Sequence, residues 1–258
     1  MEKLISLKER LKAYKKVAIA YSGGCDSNFL LQVSINTLGK SNVLAVLCIG
    51  DMMSNDDINS ARNLLSGVNY KEVKVDVLGI DEFKNNKKSR CYYCKRAIMN
   101  NVISEAEKLG FNYILDGKNL DDEVVYRPGI EACRELGILS PIAECGMTKE
   151  DVRRFSKELK IETFNKPSNS CLASRFNYNT LLTKEKLENV DKAEVIFNKL
   201  GINYVRVRVQ GNIARIEVEK KFFYKVLSNQ WIVYELKKLG FKYITLDLEG
   251  ISSGKYDS

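Results

Sequence analysis

Apolar and polar positions alternate along the first two-thirds of the chain in two rhythms. Short unbroken apolar runs, Lys16–Tyr21 (KVAIAY) and Asn42–Ile49 (NVLAVLCI), predict buried strands. Tyr70–Val77 alternates with period two, and Tyr113–Asp116 is a shorter strand that ends in Asp-Gly. Between them helical spacing predicts helices over about Asp26–Leu38, Ser54–Leu65, Cys91–Leu109, Ile130–Leu136 and Lys149–Leu159. Thr148 and Asp151 are spaced as a capping box for the last of these. Strands alternating with helices predict a parallel sheet with helices on both faces. After about Pro167 the rhythm changes. Thr183–Leu200 reads as one long amphipathic helix, and Tyr204–Val209 and Ile213–Val218 as a hairpin around Gln210-Gly211-Asn212. Phe222–Leu239 reads as another helix and Tyr243–Leu248 as a strand. The expected architecture is therefore α/β: a doubly wound parallel-sheet domain over residues 1–167 and a smaller C-terminal α+β domain over 168–258.

Composition narrows the chemistry. The 258 residues are 45% hydrophobic and 29% charged, an ordinary soluble globular balance able to bury a core. There is no histidine. That excludes a Ser-His-Asp triad, a Cys-His protease pair, a His-ligated zinc hydrolase and a two-His iron oxygenase. Any general base is a carboxylate, lysine, tyrosine or thiolate. The net charge of +8 favours anionic partners such as nucleotides or RNA, although solvated lysine-rich helix faces account for it equally well. From Arg175 onward there are 15 basic and 10 acidic residues, against 26 and 23 before it. Met1–Lys16 lacks the apolar core of a secretion signal, and the seven-residue run Val43–Ile49 is too short to span a bilayer. The expected location is a reducing cytoplasm with no membrane partner, where seven cysteines point to metal, cluster or catalysis rather than disulfides.

Tyr21-Ser22-Gly23-Gly24-Cys25-Asp26-Ser27 falls where the first strand ends and a helix begins. Two glycines let backbone N–H groups approach an anion, the helix start adds favourable partial charge, and Ser22 and Ser27 supply hydroxyls. The motif is neither G-x-x-x-x-G-K-[ST] nor G-x-G-x-x-G. It resembles the S-G-G-x-D-S signature of the PP-loop ATP pyrophosphatase superfamily, the adenine nucleotide alpha hydrolase-like fold. That resemblance implies ATP cleavage between the α and β phosphates with Mg²⁺. Ser22, Gly23, Gly24, Asp26 and Ser27 would lie on the nucleotide, with Asp26 positioning the metal.

Cys91-Tyr-Tyr-Cys94 opens a helix inside Lys84–Arg96, a stretch with six basic and no acidic residues. Cations and a helix N-terminus both stabilise thiolates. A C-x-x-C alone fits half of a zinc site, a redox pair or cluster ligands, and no histidine is available to complete zinc. Cys171, among polar residues beside Ser174 and Arg175, is the third thiol to recruit; three thiolates suit an iron–sulfur cluster with one open iron. Cys133 and Cys145 are the rivals for a fourth ligand, and Cys48 falls within a buried strand.

Taken together, the motifs resemble the LarE-type ATP-dependent sulfurtransferases of nickel-pincer nucleotide biosynthesis, over nearly the whole chain. The resemblance rests on Ser22–Ser27, Asp116-Gly117, Asp121-Asp122-Glu123, Tyr126-Arg127-Pro128-Gly129, Cys171 with Ser174-Arg175-Phe176, Arg206-Val-Arg208, Ile213–Glu217 and Thr245–Gly250. It implies a pyridinium biscarboxylic acid mononucleotide whose carboxylate is adenylated and then attacked by sulfur. Ser174, Arg206 and Arg208 would hold the substrate phosphate; the two arginines project from one face of a strand, and paired guanidinium groups suit a dianion. Glu194 and Glu217 match family carboxylates near the metal or the rim of the site. Cys171, Asp26, Glu123 and Arg175 would act near the reacting groups. In one branch of the family a single cysteine gives up its own sulfur. The present chain departs from that pattern, and the resemblance implies that Cys91, Cys94 and Cys171 hold a [4Fe-4S] cluster carrying a transferable sulfide. The family's habit suggests a homo-oligomer, with the sulfide donor unknown. A cluster-dependent tRNA thiolase is the alternative, and a nucleotide-binding protein without turnover is a third reading.

Overall fold

The computed structural model describes residues 1–124, 128–167 and 169–252. Its contacts divide the chain into two compact units: Met1–Gly50, Asn55–Val77 and Ser89–Asn169 form one, and Asp51–Ser54, Leu78–Lys88 and Ser170–Ser258 the other.

In the first unit, β1 (Val17–Tyr21), β2 (Val43–Ile49), β3 (Tyr70–Lys74) and β4 (Tyr113–Leu115) form a parallel sheet in the order β3-β2-β1-β4. The uninterrupted apolar runs of β1 and β2 take the two central places, where both faces are covered. β3, largely exposed, takes an edge. The chain steps outward from β1 to β3 and then returns to the other side of β1. Because parallel crossovers are right-handed, that reversal sends the helices before and after it to opposite faces. Accordingly the Cys25–Leu38 helix packs against the Glu2–Tyr14 and Lys149–Glu158 helices, and the Arg90–Lys108 helix against the Pro128–Glu135 helix and β2. The core joins Leu7, Leu11, Ile19, Phe29, Leu47 and Phe155. The expected capping box is present, with the Thr148 and Asp151 side chains each accepting from the other's backbone N–H. Strand order reverses between β1 and β4, the point where open α/β sheets bind ligands beyond their carboxyl ends.

Most element ends differ from expectation by a residue or two, and two elements differ by more. β3 stops at Lys74, not Val77. Its partner β2 ends at Ile49, so only Val75 N–H finds one more carbonyl there, at 2.8 Å, before the backbone folds back on itself. The single helix expected over Phe222–Leu239 is two, Phe223–Leu227 and Gln230–Lys238. The break falls at Asn229, whose backbone (φ −113°, ψ 85°) leaves the helical region after Ser228 N–H has made the last helical bond, to the Tyr224 carbonyl at 2.9 Å.

In the second unit, β5 (Val205–Gln210) and β6 (Ile213–Val218) form the expected hairpin, and β7 (Tyr243–Leu246) joins β6 in parallel. The Lys184–Asn198 helix, capped by Thr183, covers β5 and the Gln230–Lys238 helix. Val205 and Val207 point into the core with Phe197, Ile216 and Leu236. Arg206 and Arg208 alternate to the other face, yet they too are buried. The 78–88 segment is stitched to residues 176–182: Asn86 donates to the Phe176 and Asn177 carbonyls at 3.1 and 2.8 Å, and Leu182 N–H reaches the Lys84 carbonyl at 2.7 Å.

Candidate functional site

β1 delivers Ser22–Ser27 to the carboxyl end of the sheet, and the helix that follows starts at Cys25. Two close approaches set the turn's shape. Gly23 has φ +71°, and a Cβ there would stand 2.7 Å from the Ala61 Cβ. A Cβ on Gly117, beyond β4, would stand 2.8 Å from the Ser27 nitrogen. Only glycine allows both contacts, so the turns after β1 and β4 pack backbone to backbone at the reversal of strand order. The Ser22 and Ser27 hydroxyls lie 3.0 Å apart, and Ser22 N–H donates to Ser27 Oγ at 3.3 Å. Among the described residues no side chain caps the helix, which leaves its first N–H groups to whatever anion enters the turn.

Two lysines that carried no sequence signal complete this site. Lys149, first residue of its helix, forms an ion pair with Asp26 Oδ2. Lys166 donates to the Gly23 carbonyl at 3.1 Å and to Ser60 Oγ at 3.0 Å, with Asp57 at 3.9 Å. Asp26 Oδ1 is buried and meets no hydrogen-bond donor among the described residues. Burial raises the Asp26 pKa against the opposing pull of Lys149. A half-satisfied carboxylate in a glycine-rich turn suits a divalent cation with a polyphosphate, so the residues present fit Mg²⁺ and ATP. Behind the turn, Tyr21 donates to Asn28 at 3.1 Å and Asn28 to Thr163 at 3.1 Å; burial pushes the Tyr21 pKa up, which keeps its hydroxyl a donor.

Asp116 accepts from Ser140 Oγ at 2.7 Å. Asp121 accepts from Lys149 N–H at 2.8 Å, and Asp122 from Asn119 N–H at 3.2 Å. These carboxylates brace the turns around the site. Tyr126, Arg127 and the Glu123 side chain lie outside the described residues.

Cys91 and Cys94 sit on the first turn of the Arg90–Lys108 helix, three residues apart and so on one side of it, Cys91 exposed and Cys94 buried. Cys171 precedes a short helical turn, Leu172–Arg175, in the second unit. Among the described residues no three Cys, Asp or Glu side chains gather as the cage of a single metal ion. The donor chemistry of the Cys91–Cys94 pair fits two thiolate ligands of a larger cluster. Cys48 and Cys133 are buried, and burial pushes both thiols up to about 11.

The second unit holds a network of guanidinium groups and carboxylates. Arg175 grips Glu194 with two bonds of 2.8 and 3.0 Å, and its other terminal nitrogen donates to Ser170 Oγ at 2.6 Å and Ser174 Oγ at 3.0 Å. Glu194 also accepts from Val207 N–H at 2.9 Å. Arg208 donates to Glu217 at 3.1 Å and to the Ser174 carbonyl at 2.5 Å; Arg215 donates to the other Glu217 oxygen at 3.3 Å. Arg206 donates instead to a neutral acceptor, the Ser252 carbonyl, at 2.7 Å. Burial, reinforced by the charges of Arg175 and Arg208, pushes its pKa below the ordinary value. Ser174, Arg175 and Arg208 thus share one network, in which Glu194 and Glu217 are partners of arginines, while Arg206 stands on the same strand face as Arg208 with its bond directed to Ser252.

Comparison with known proteins gives this geometry its context. A family model described as NAD synthase matches residues 2–106. An uncharacterised protein of Synechocystis sp. is 36% identical, covering 98% of this chain and 96% of its own. The tRNA-specific 2-thiouridylase of Desulforamulus reducens is 27% identical over 65% of this chain and 58% of its own. The pyridinium-3,5-bisthiocarboxylic acid mononucleotide synthase of Lactiplantibacillus plantarum is 35% identical, covering 98% of this chain and 93% of its own. With that likeness running the length of both chains and a Ser-Gly-Gly turn built for a polyphosphate, the chain belongs to this synthase's family, ATP-dependent sulfurtransferases of the PP-loop superfamily.

Proposed function

We propose that the protein uses ATP and Mg²⁺ to adenylate a carboxylate of pyridinium-3,5-biscarboxylic acid mononucleotide and exchanges the AMP for sulfur, giving a thiocarboxylate. The observation that carries the reading is the Ser22–Ser27 turn, held by Gly23 against Ala61 and by Gly117 against Ser27, with the buried Asp26 oxygen meeting no donor among the described residues. A carboxylate oxygen of the substrate attacks the α-phosphorus and pyrophosphate leaves into the turn, where helix N–H groups meet its charge. Oxide, a poor leaving group, thereby becomes AMP. A sulfur nucleophile then attacks the acyl carbon and AMP departs, a step that needs no histidine to remove a proton.

Arg206, which donates to a carbonyl and not to a carboxylate, is the guanidinium best placed to take a substrate phosphate, with Arg208 on the same strand face and bonded to Ser174. Glu194 and Glu217 act here by orienting Arg175 and Arg208. Cys91, Cys94 and Cys171 are proposed as ligands of a [4Fe-4S] cluster, which when bound would supply an open iron for sulfide.

The test is pyrophosphate release with ATP, Mg²⁺ and the biscarboxylic mononucleotide: stimulation by that substrate is expected, and release indifferent to it overturns the assignment. Anaerobic analysis should find about four iron and four labile sulfides per chain. Each of Cys91→Ser, Cys94→Ser and Cys171→Ser should lose them; stoichiometric zinc in colourless, anaerobically reconstituted protein removes the cluster from the reading. The likeness to a tRNA-specific 2-thiouridylase favours tRNA as the second reading. A salt-sensitive gel shift with tRNA, with no response to the mononucleotide, would select it.

A further inference from the structure

We propose that Lys166 is a positioning residue of the nucleotide turn: it locks the Gly23–Gly24 peptide in the one orientation that turns an N–H, and not a carbonyl, toward the triphosphate. The inference rests on the reading of Ser22–Ser27 as the triphosphate site. Lys166 lies 143 residues from Gly23 in sequence, yet its ammonium donates to the Gly23 carbonyl at 3.1 Å. A second bond, 3.0 Å to Ser60 Oγ, ties the same ammonium to the Asn55–Leu64 helix, the helix whose Ala61 abuts Gly23.

The need for such a lock follows from the two glycines. Rotation of a peptide plane is opposed mainly by the Cβ atoms flanking it, and here both flanking residues lack one. The Gly23–Gly24 peptide is therefore the one in the turn that flips most cheaply. The peptide is trans, so its C=O and N–H point in opposite directions. With the carbonyl fixed on Lys166, the Gly24 N–H is directed away from Lys166, where it joins the uncapped N–H groups of the helix start. A flip would reverse this and present a carbonyl oxygen to anionic phosphate. Ala61 limits where the Gly23 α-carbon can go, but van der Waals contact does not choose between the two orientations. A charged donor does.

This role predicts a particular pattern of ligand loss. Lys166→Met should weaken ATP and inorganic pyrophosphate about 10- to 100-fold, the range for one hydrogen bond to a charged group, and leave AMP affinity as in wild type. Lys166→Arg, which retains a charged donor of similar reach, should recover part of the loss. Ser60→Ala, which spares the bond to Gly23, should change ATP affinity by no more than about threefold, the low end for one neutral hydrogen bond. The measurement is calorimetric titration of the full-length protein with ATP and Mg²⁺, pyrophosphate and AMP, beside thermal midpoints for each variant. Wild-type ATP affinity in Lys166→Met overturns the proposal, as does equal weakening of AMP and ATP, which would mark a general loss of fold. Should Lys166→Met fail to fold, Lys166→Gln carries the comparison, with its neutral donor expected between methionine and arginine. Wild-type protein that binds neither ATP nor pyrophosphate would instead remove the reading on which this role rests.

Discussion

The two units arrange their polar groups in opposite ways. In the first, the Ser22–Ser27 turn is shaped by backbone: a glycine against Ala61, another against Ser27, and helix N–H groups without a cap. Its one acidic group is left half-satisfied. In the second, positive charge is supplied by long side chains, and most of it is already matched by Glu194 and Glu217. A backbone cradle presents donors with almost no side-chain entropy to lose, but it has no room for a Cβ at Gly23 or Gly117. A network of arginines tolerates changes of shape, but not the loss of a single counter-charge.

Substitutions that strike each design where it is weakest test this contrast. The largest expected effect is on stability in the second unit. Glu217 is fully buried, so Glu217→Ala removes the carboxylate that Arg208 and Arg215 share, leaving Asp247 at 3.6 Å from Arg215, and should cost about 3–5 kcal/mol in denaturant unfolding. The double change Arg208→Met, Glu217→Leu should cost less than the single one; a larger cost would mean that the pair itself, and not the orphaned charge, sustains the fold.

Next is Gly23→Ala, which places a Cβ 2.7 Å from Ala61 at a φ of +71°. ATP-dependent pyrophosphate release should fall on the order of 10²-fold, as expected when reacting groups are misplaced by about an ångström. Unfolding free energy should drop by only about 1–3 kcal/mol. A smaller effect follows for Asn86→Ala, which removes donors to two buried carbonyls and should lower stability by about 1–3 kcal/mol without touching ATP affinity.

The smallest effect has the opposite sign. The folded-state pKa of Asp26 is raised, so the folded protein binds that proton more tightly than the unfolded chain does, and ionisation subtracts from stability as pH rises through the folded value. Asp26→Asn should therefore raise the thermal midpoint slightly at pH 7 and not at pH below the ordinary carboxylate range, while abolishing metal-dependent turnover. A midpoint that falls at pH 7 would show that the Lys149 pair outweighs the burial.

How far these features were legible in the sequence depends on how local their causes are. The strand–turn–helix of Lys16–Leu38 and the hairpin at Gln210–Asn212 are specified by neighbours in sequence, and both form as expected. So does the Thr148–Asp151 box. The end of the helix at Leu227 was not legible because the break is a single backbone departure at Asn229 inside an otherwise continuous apolar stripe. Lys149 and Lys166 carried no signal at all. Each acts on the turn from more than 100 residues away, and an isolated lysine looks the same in sequence whether it faces water or a glycine carbonyl. The same holds for Asn86, whose partners lie 90 and 91 residues ahead.

The arginine–carboxylate pairs also bear on how such a protein can change over generations. Arg175 is held by Glu194, and Arg208 by Glu217, with both arginines almost wholly enclosed. A lineage that loses one member of a pair passes through a protein with a stranded buried charge, and most such intermediates would be cleared by the cell before a second change arrived. Positions 175 and 194, and likewise 208 and 217, should therefore drift as couples or stay put. By contrast, an added Cβ at Gly23 meets both the Ala61 side chain and a φ of +71°, so no single partner change makes room for it. The two units would thus carry distinct records of descent within one chain.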